Sequence, residues 1–225
     1  SNTVDGKPIY FWVNEHDKRI PKNAGYVALV NSANVTIEDL SPTSNEQGVL
    51  LVNTKDSVIR NVRLLGNDVG IDLRMSSNNT IRMNVLITVN WLSIHLLSSH
   101  NNTLTENVIR NGNYGLYMKD SIGNTIYHNN FLYNKEQQYQ LNSSSKWDNG
   151  KEGNYWSDYS GEDLDDDGVG DTRLPHLEVD YNPLIHVFDK TPPIAKAGEN
   201  QTVFKNVVVS FDASGASDNI GIFDY

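Results

Sequence analysis

The sequence predicts an all-β fold, a parallel β-helix in which each repeat of the chain forms one coil and stacks on its neighbours. Three observations lead to this prediction: a repeat of about 22 residues, an alternating apolar pattern within it, and polar residues that recur at fixed positions. A fixed period of this length is typical of solenoids, in which each repeat buries its apolar side against the adjacent repeats.

The repeat occurs five times between residues 26 and 137. Each copy runs through a short polar turn to a second apolar position. These second positions are spaced 22, 22, 23 and 22 residues apart, at Ile37, Ile59, Ile81, Leu104 and Ile126. We expect these side chains to form one buried column along the solenoid.

Ahead of each turn the apolar residues alternate with other residues, which is the pattern of a β-strand. A leucine-rich repeat would need a longer pattern of apolar positions and a helical stretch in each repeat, and the sequence shows neither. The alternation predicts a second buried column, formed by Leu29, Leu51, Leu73, Leu96 and Met118.

Small polar residues recur at the turns of the repeat. Asparagine tolerates the left-handed backbone that a tight corner needs, and its amide can bond the backbone and the asparagine of the next coil. We therefore interpret these positions as structural. They are Ser32, Thr54, Ser76, Ser99 and Ser121 at one turn, Asn79, Asn102 and Asn124 at a second, and Asn84, Asn107 and Asn129 at a third.

The composition limits the possible classes of protein. Cysteine is absent, which excludes a disulfide framework and a thiolate metal site. The net charge is −10, so we expect no nucleic-acid partner. No apolar run approaches the length that spans a membrane. The chain opens in what reads as the middle of a coil, so we expect a piece of a longer protein.

Several motifs together resemble the NosD-type right-handed β-helix, also called the carbohydrate-binding and sugar-hydrolase fold, over residues 3 to 186. The motifs are the lead-in Thr3-Val-Asp-Gly-Lys-Pro-Ile-Tyr-Phe, the repeats with G-hydrophobic-x-L and S-x-x-N-T-I, and the closing segment Gly153-Asn-Tyr-Trp-Ser-Asp-Tyr-Ser-Gly. The resemblance implies an extracellular or cell-surface location, because such proteins are common at the surface of methanogenic archaea. The NosD name also implies copper. The six histidines are scattered and the three methionines form no cluster, so we expect no copper site.

The chain changes character beyond the regular coils, which we place at 26–137. We assign 1–186 to the β-helix with its cap and 187–193, which holds two adjacent prolines, to a linker. Residues 194–225 resemble the first part of a PKD-type immunoglobulin-like domain. A complete domain of this kind needs about 100 residues, so this fragment is incomplete.

Aromatic residues collect just after the last regular coil. A solenoid must cover its terminal coil, and we interpret these residues as an aromatic cap. The alternative is a platform on which sugars stack, since flat aromatic faces suit pyranose rings. The residues assigned to such ligand binding are Tyr155, Trp156 and Tyr159.

An acidic loop follows the aromatic segment. Carboxylates stand at positions 1, 3, 5 and 9 of a calcium loop of EF-hand type, with Gly168 at position 6 and a backbone carbonyl ligand at position 7. The predicted metal ligands are Asp163, Asp165, Asp167, Val169 and Asp171. Residues 158–180 hold nine acidic residues and one arginine. The carboxylates repel each other unless a cation binds among them.

The match to a calcium loop is partial. Position 12 is Leu174, where an EF-hand places a bidentate glutamate, and no helical pattern flanks the loop. The loop looks more like those of thrombospondin type-3 or dockerin repeats, with Asp158 or Asp180 completing the site. The alternative is a solvated acidic loop. We predict calcium as the cofactor.

The residues between the inward-facing positions of the first strand of each repeat must point outward. Five of them place acid, base and cation on one exposed sheet face, in adjacent coils about 4.8 Å apart. These residue types fit acid–base attack on a uronic acid. They also fit the solvent-exposed polar residues and surface ion pairs that an outer sheet face ordinarily carries. The candidate catalytic residues are Asp72, Arg74, His95, Tyr117 and Lys119.

We therefore expect a secreted, calcium-stabilised cell-surface module for structural, adhesive or carbohydrate-binding interaction. Its partners would be polysaccharide or other cell-envelope components. The alternative is a polysaccharide lyase or uronate epimerase acting through the exposed sheet face. A deep groove with Asp72, His95, Tyr117 and Lys119 converging within hydrogen-bond reach would favour catalysis, and a flat face with splayed side chains would favour binding.

Overall fold

A computed structural model describes residues 2–4, 6–190, 194, 196, 215, 216 and 218. The described residues contain strands and turns, with no helix. The strands are β1 (Thr3–Val4), β2 (Lys7–Val13), β3 (His16–Arg19), β4 (Tyr26–Val30), β5 (Ala33–Glu38), β6 (Gln47–Val52), β7 (Val58–Arg60), β8 (Arg63–Leu65), β9 (Val69–Arg74), β10 (Thr80–Arg82), β11 (Val85–Ile87), β12 (Leu92–Leu97), β13 (Thr103–Thr105), β14 (Val108–Arg110), β15 (Tyr114–Lys119), β16 (Ile122–Tyr127), β17 (Asn130–Leu132), β18 (Glu136–Leu141), β19 (Ser144–Lys146) and β20 (Tyr155–Trp156).

The strands form three sheets that enclose one core, and from β6 onward each coil contributes one strand to each sheet. Sheet A has the order β1-β2-β4-β6-β9-β12-β15-β18, sheet B the order β19-β16-β13-β10-β7-β5-β3, and sheet C the order β20-β17-β14-β11-β8. Neighbouring strands pair in parallel, except that β1 pairs antiparallel with β2. The predicted all-β parallel β-helix is confirmed.

The strand register confirms both predicted core columns. In the first column each residue pairs with the residue of the next coil, in the order Ile37, Ile59, Ile81, Leu104 and Ile126. All five side chains are fully buried. The register of sheet A aligns the second column, which is buried as completely: Leu29, Leu51, Leu73, Leu96 and Met118. The apolar residues that alternate in the sequence therefore form one continuous core.

The regular spacing of the asparagines produces buried side-chain ladders between the coils. Asn107 shows the pattern: its Nδ2 donates to the carbonyl of Ile81 (2.9 Å) and to Oδ1 of Asn129 (2.8 Å). Its Oδ1 accepts from the backbone N–H of Asn84 (3.1 Å) and from Asn84 Nδ2 (2.9 Å). Each asparagine thus satisfies backbone groups of a corner that strand pairing leaves free.

The left-handed backbone lies one residue away from where we expected it. Asn79 and Asn84 turn inward as ladder residues, whereas the positive φ angles belong to the preceding residues, Asn78 (57°) and Met83 (55°). The same coil has two more left-handed corners, at Met75 (49°) and Thr88 (50°). Four such corners per coil explain why short polar residues are frequent outside the ladders as well.

Thr88 is the least suitable residue at these corners, because a β-branched side chain is strained in the left-handed region. Asn111 occupies the equivalent corner one coil later, with a φ of 56°. We predict that Thr88→Asn raises the free energy of unfolding by about 1 kcal/mol, measured by urea denaturation. Thr80→Asn within β10 is the matched control, and an equal gain there would contradict the explanation.

The segment after β18 caps the last coil. Trp156 is buried, with its ring stacked on Phe131 at 4.4 Å between ring centres and tilted against Trp147 at 5.7 Å. Further along, the backbone of Phe188 exchanges two hydrogen bonds with the side chain of Asn130. These contacts cover the apolar end of the solenoid, as the cap interpretation requires.

The contacts divide the chain into two compact units, Ser1–Phe188 and Asp189–Tyr225. The first unit is the capped solenoid. The second unit contains the predicted PKD-type fragment at 194–225, which falls almost entirely outside the described residues.

Candidate functional site

The outer face of sheet A carries a column of side chains that changes chemistry halfway along the solenoid. The register aligns one residue per coil, in the order Phe11, Ala28, Leu50, Asp72, His95, Tyr117 and Tyr139. We call this set the outer column. Its first three members are apolar, and its last four can donate or accept hydrogen bonds. The change begins at Asp72.

Asp72 was expected to be exposed and is instead fully buried. Its carboxylate is covered because Arg74 and His95 lie over it. Arg74 donates to Oδ2 through Nε (3.0 Å) and a terminal nitrogen (2.8 Å), and His95 Nδ1 lies 2.9 Å from Oδ1. Both oxygens of the buried carboxylate are therefore satisfied.

The charge state of Asp72 follows from these contacts. Burial acts to raise the pKa of Asp72, but the hydrogen bonds from His95 and Arg74 outweigh burial and hold the pKa below its usual value. Because the carboxylate accepts, His95 Nδ1 donates to it, and this leaves Nε2 as an acceptor when the imidazole is neutral. The pair therefore fixes the orientation of the His95 ring.

Three tyrosines continue the face beyond His95, and we call Tyr114, Tyr117 and Tyr139 the aromatic ridge. Tyr117 and Tyr139 stack at 5.0 Å between ring centres with 25° between their planes, and Tyr114 meets both rings edge-on. His95 packs against Tyr117 edge-on at 5.6 Å. Tyr139 is 42% exposed. The ridge thus presents three packed rings on the outer face of sheet A, and Tyr139 is the most exposed of them.

The neighbouring outward column contains Arg74, Leu97, Lys119 and Leu141. Lys119 is exposed and forms no ion pair within the described part of the chain. Of the five predicted catalytic residues, the structure brings Asp72, Arg74 and His95 into hydrogen-bond contact and places Tyr117 against His95. Lys119 stands apart on the same face.

Sequence reasoning missed two members of the ridge, Tyr114 and Tyr139. Tyr139 lies in β18, in the coil that follows the five repeats, and the inward positions of this strand are Gln138 and Gln140 in place of apolar residues. The alternation that revealed the other coils is therefore absent there. The signal that could have found Tyr139 is its distance of 22 residues from Tyr117, the period of the repeat.

The structure separates the three aromatic residues assigned to ligand binding. Trp156 is part of the buried cap. Tyr155 is half-buried, and burial raises the pKa of its hydroxyl. Tyr159 donates its hydroxyl to the carbonyl of Thr172 at 2.6 Å. The three rings thus share no open surface comparable to the aromatic ridge.

The acidic loop brings together three of its predicted carboxylates. Ligand atoms of Asp163, Asp165 and Asp171 lie within 4.8 Å of one another. Backbone N–H groups of the loop already bond two of them: Asp163 accepts from Gly168 (2.8 Å), and Asp171 accepts from Leu164 (2.7 Å). Repulsion from Asp167 raises the pKa of Asp165, whereas the Gly168 amide lowers the pKa of Asp163.

The other predicted carboxylate, Asp167, does not join this group, and neither do the two residues considered to complete the site. The Asp167 carboxylate accepts from the backbone N–H of Val169 at 2.8 Å. Asp158 lies 3.2 Å from His176 Nε2, and the resulting hydrogen bond lowers the pKa of Asp158. Asp180, the second residue considered to complete the site, is buried in the cap.

Asp180 holds the cap together from the inside. Its Oδ2 accepts from Trp156 Nε1 (2.9 Å) and from the backbone N–H of Asn154 (2.9 Å), and its Oδ1 accepts from the N–H of Asn182 (3.0 Å). Gly153 is required beside it, because a Cβ there would lie 2.1 Å from Oδ1. Burial raises the pKa of Asp180 despite these hydrogen bonds.

The raised pKa of Asp180 predicts a pH dependence of stability. The neutral form favours the fold, so this contribution is complete below the unfolded value of about 3.9 and is lost as pH rises through the folded pKa. Asp180→Asn cannot ionise and keeps one acceptor oxygen. Relative to wild type, the variant should therefore become more stable as the pH rises above about 4, measured by urea denaturation. A difference that does not change with pH would contradict the assignment.

A family model described as "Periplasmic copper-binding protein (NosD)" matches residues 3–161, which is more than half of the chain. The chain belongs to the NosD family. This membership confirms the resemblance inferred from the repeats, while the PKD-type fragment and an archaeal source stay predictions. The match ends within the cap, so the acidic loop lies beyond the matched part of this NosD-family chain.

A relative from Pseudomonas aeruginosa, named "Probable ABC transporter binding protein NosD", is 44% identical over 59 residues. Those residues make up 25% of this chain and 14% of the relative, so the chain matches a small part of that protein. The similarity agrees with the family assignment, and the transporter named there belongs to the relative.

The NosD description corrects the cofactor prediction. We predicted calcium as the cofactor and no copper site, whereas the family is described as copper-binding, so the prediction is wrong. In the described part of the chain, however, Asp163, Asp165 and Asp171 form the sole group of three or more His, Cys, Asp or Glu side chains that could hold a metal ion. Copper sites use imidazole, thiolate or thioether donors, and this all-oxygen set does not fit them.

The NosD description also bears on location. We predicted an extracellular or cell-surface location. The family is described as periplasmic, which agrees with a location outside the cytoplasmic membrane and leaves the cell surface a prediction. Among the described residues, no helix has the length and apolarity to cross a membrane.

Proposed function

We propose that this NosD-family protein binds polysaccharide through the outer face of sheet A. The observation that supports the proposal is the aromatic ridge, which stands on a rigid sheet beside the polar cluster of Asp72, Arg74 and His95. Tyrosine offers an apolar ring for the C–H faces of a sugar and a hydroxyl for its oxygens. A site built on strands also holds such groups in fixed geometry.

The location of the family supports this ligand class. A periplasmic protein meets the polymers of the cell envelope, and these would be the partners of an adhesive or scaffolding module. The protein would serve by binding and not by consuming the polymer. A cell-surface position is a further proposal that the periplasmic family description leaves open.

The arrangement on the outer face favours binding over catalysis. Asp72 has both oxygens occupied by neighbouring side chains, so its role is to position Arg74 and His95. Lys119 does not converge with them. The tyrosines pack on one another along the solenoid axis and extend the surface lengthwise. An elongated ligand suits such a surface better than a single reacting bond does.

Binding is tested with a glycan array and wild-type protein, followed by titration calorimetry on the positive glycans. Tyr117→Ala with Tyr139→Ala should weaken binding at least tenfold, because the ridge loses two of its three rings. Tyr181 is 61% exposed elsewhere on the cap, and Tyr181→Ala is the matched control with unchanged affinity. Absence of binding to every glycan, or equal loss in the control, would overturn the proposal.

A polysaccharide lyase or uronate epimerase is the second candidate, and the hydrogen bond between Asp72 and His95 favours it. In a lyase, His95 Nε2 would remove the proton next to the uronate carboxylate. The C–H electron pair would form the new double bond, and the leaving oxygen would take a proton from Tyr117. An ultraviolet-absorbing unsaturated product from a polyuronate, lost in His95→Ala, would support this candidate. Intact polyuronate after prolonged incubation would exclude the elimination.

A further inference from the structure

The spacing of the outer column suggests how a polysaccharide would lie on it. Successive members are one coil apart, which is about 4.8 Å in a parallel sheet. This distance is close to the length of one pyranose unit in an extended chain. Four successive coils carry Asp72, His95, Tyr117 and Tyr139. A linear polysaccharide along the solenoid axis would therefore place one sugar opposite each coil.

The flanking column adds positive charge at a matching interval. Arg74 and Lys119 occupy equivalent positions two coils apart, which is about 10 Å. In an extended chain with two sugars per turn, substituents of every second sugar lie on the same side. Two cations two coils apart thus suit a polymer that carries one carboxylate on each sugar.

Both cations can reach a ligand. The Arg74 side chain is 45% exposed, and one terminal nitrogen of its guanidinium makes no hydrogen bond to Asp72. Lys119 is exposed and has no ion-pair partner in the described ranges. An incoming carboxylate could pair with Lys119 without displacing an existing contact.

Asp72 is not required by the fold at its position. The equivalent residues of the two preceding coils are Ala28 and Leu50, which pack in the same column without a charge. A buried carboxylate is costly unless it is fully paired. The Asp72 carboxylate is the first polar member of the outer column, and this position indicates that it holds Arg74 and His95 in place for a ligand.

We infer that the outer face of sheet A binds a linear polyuronate lengthwise along the solenoid axis, one sugar per coil, with its carboxylates paired to Arg74 and Lys119. The inference rests on the proposed function and names its ligand class and its direction of binding. Asp72 acts as a positioning residue, and Lys119 selects for acidic sugars.

The binding direction is tested with oligogalacturonates and oligomannuronates from dimer to hexamer, titrated against the whole chain. Affinity should rise with each added sugar up to about the tetramer and then level off, because four coils form the polar part of the face. An affinity that does not depend on length would overturn the lengthwise arrangement. If the wild-type chain bound none of these oligomers and no other glycan, the proposed function itself would be overturned.

Charge selection is tested with cello-oligosaccharides of equal length as neutral probes. Acidic oligomers should bind more tightly, and salt should reduce the difference. Lys119→Gln should weaken the affinity for acidic oligomers by about fivefold, which corresponds to the upper end of the free energy of an exposed ion pair. The affinity for neutral oligomers should not change. Glu136→Gln, an exposed charge beside Tyr114, is the control that should not weaken it. Equal affinity for neutral and acidic oligomers would overturn the assignment of a polyuronate.

Discussion

Replacing Asn107 with alanine is expected to lower the free energy of unfolding by about 4 kcal/mol. The variant loses the acceptor for the backbone N–H of Asn84 and the donor to the carbonyl of Ile81, and both groups are buried. Each buried polar group left without a partner costs about 1–3 kcal/mol. Chemical denaturation of the purified variant measures the loss.

Asn90 provides the matched control for this variant. It lies on the surface, where its Nδ2 donates to Asp68 Oδ1 at 2.9 Å. Asn90→Ala removes the same chemical group and should cost less than about 1 kcal/mol. Similar losses for the two variants would mean that the asparagine ladder does not stabilise the coils.

The second large effect is expected for Ile81→Asp. Ile81 lies at the centre of its column, fully buried between Ile59 and Leu104. A carboxylate there has no partner, and the cost of burying it should exceed about 4 kcal/mol. The expected result is a chain that lacks the cooperative melting transition of wild type in circular dichroism.

Ile81→Val controls for the loss of volume at the same site. It removes one methyl group and should cost about 1 kcal/mol with the melting transition retained. An Ile81→Asp variant that melts like Ile81→Val would contradict the buried column.

The core could be predicted from the sequence because its signal is periodic. The positions of Ile37 to Ile126 and of Leu29 to Met118 follow from apolar residues spaced by a nearly constant repeat, and the register places them as expected. Stacking is the only way in which such short repeats bury these residues, so pattern and fold correspond directly.

Details that depend on three-dimensional contacts could not be predicted in this way. Alternation shows that position 72 faces outward, but it does not show that Arg74 and His95 cover its carboxylate. The ladder asparagines and the left-handed residues are sequence neighbours, so composition alone does not distinguish Asn79 from Asn78. The coil that contains β18 was missed because glutamines occupy its inward positions.

The cofactor prediction failed for a different reason. The spacing of Asp163, Asp165 and Asp171 resembles a calcium loop, and the structure does bring these carboxylates together. The spacing of residues in the sequence indicates which side chains can come together. It does not identify the metal ion that the members of a family bind. The family description names copper, which no local motif of this chain indicates.

Chemical-shift mapping by NMR tests the proposed polysaccharide site most directly. The isotope-labelled chain is titrated with a polyuronate tetramer, and each backbone amide is followed. Perturbations should be largest along β9, β12, β15 and β18, which carry Arg74, His95, Tyr117 and Tyr139, and small in sheets B and C. Perturbations centred on Tyr155 and Tyr159, or spread over sheet B, would contradict binding on the outer face of sheet A.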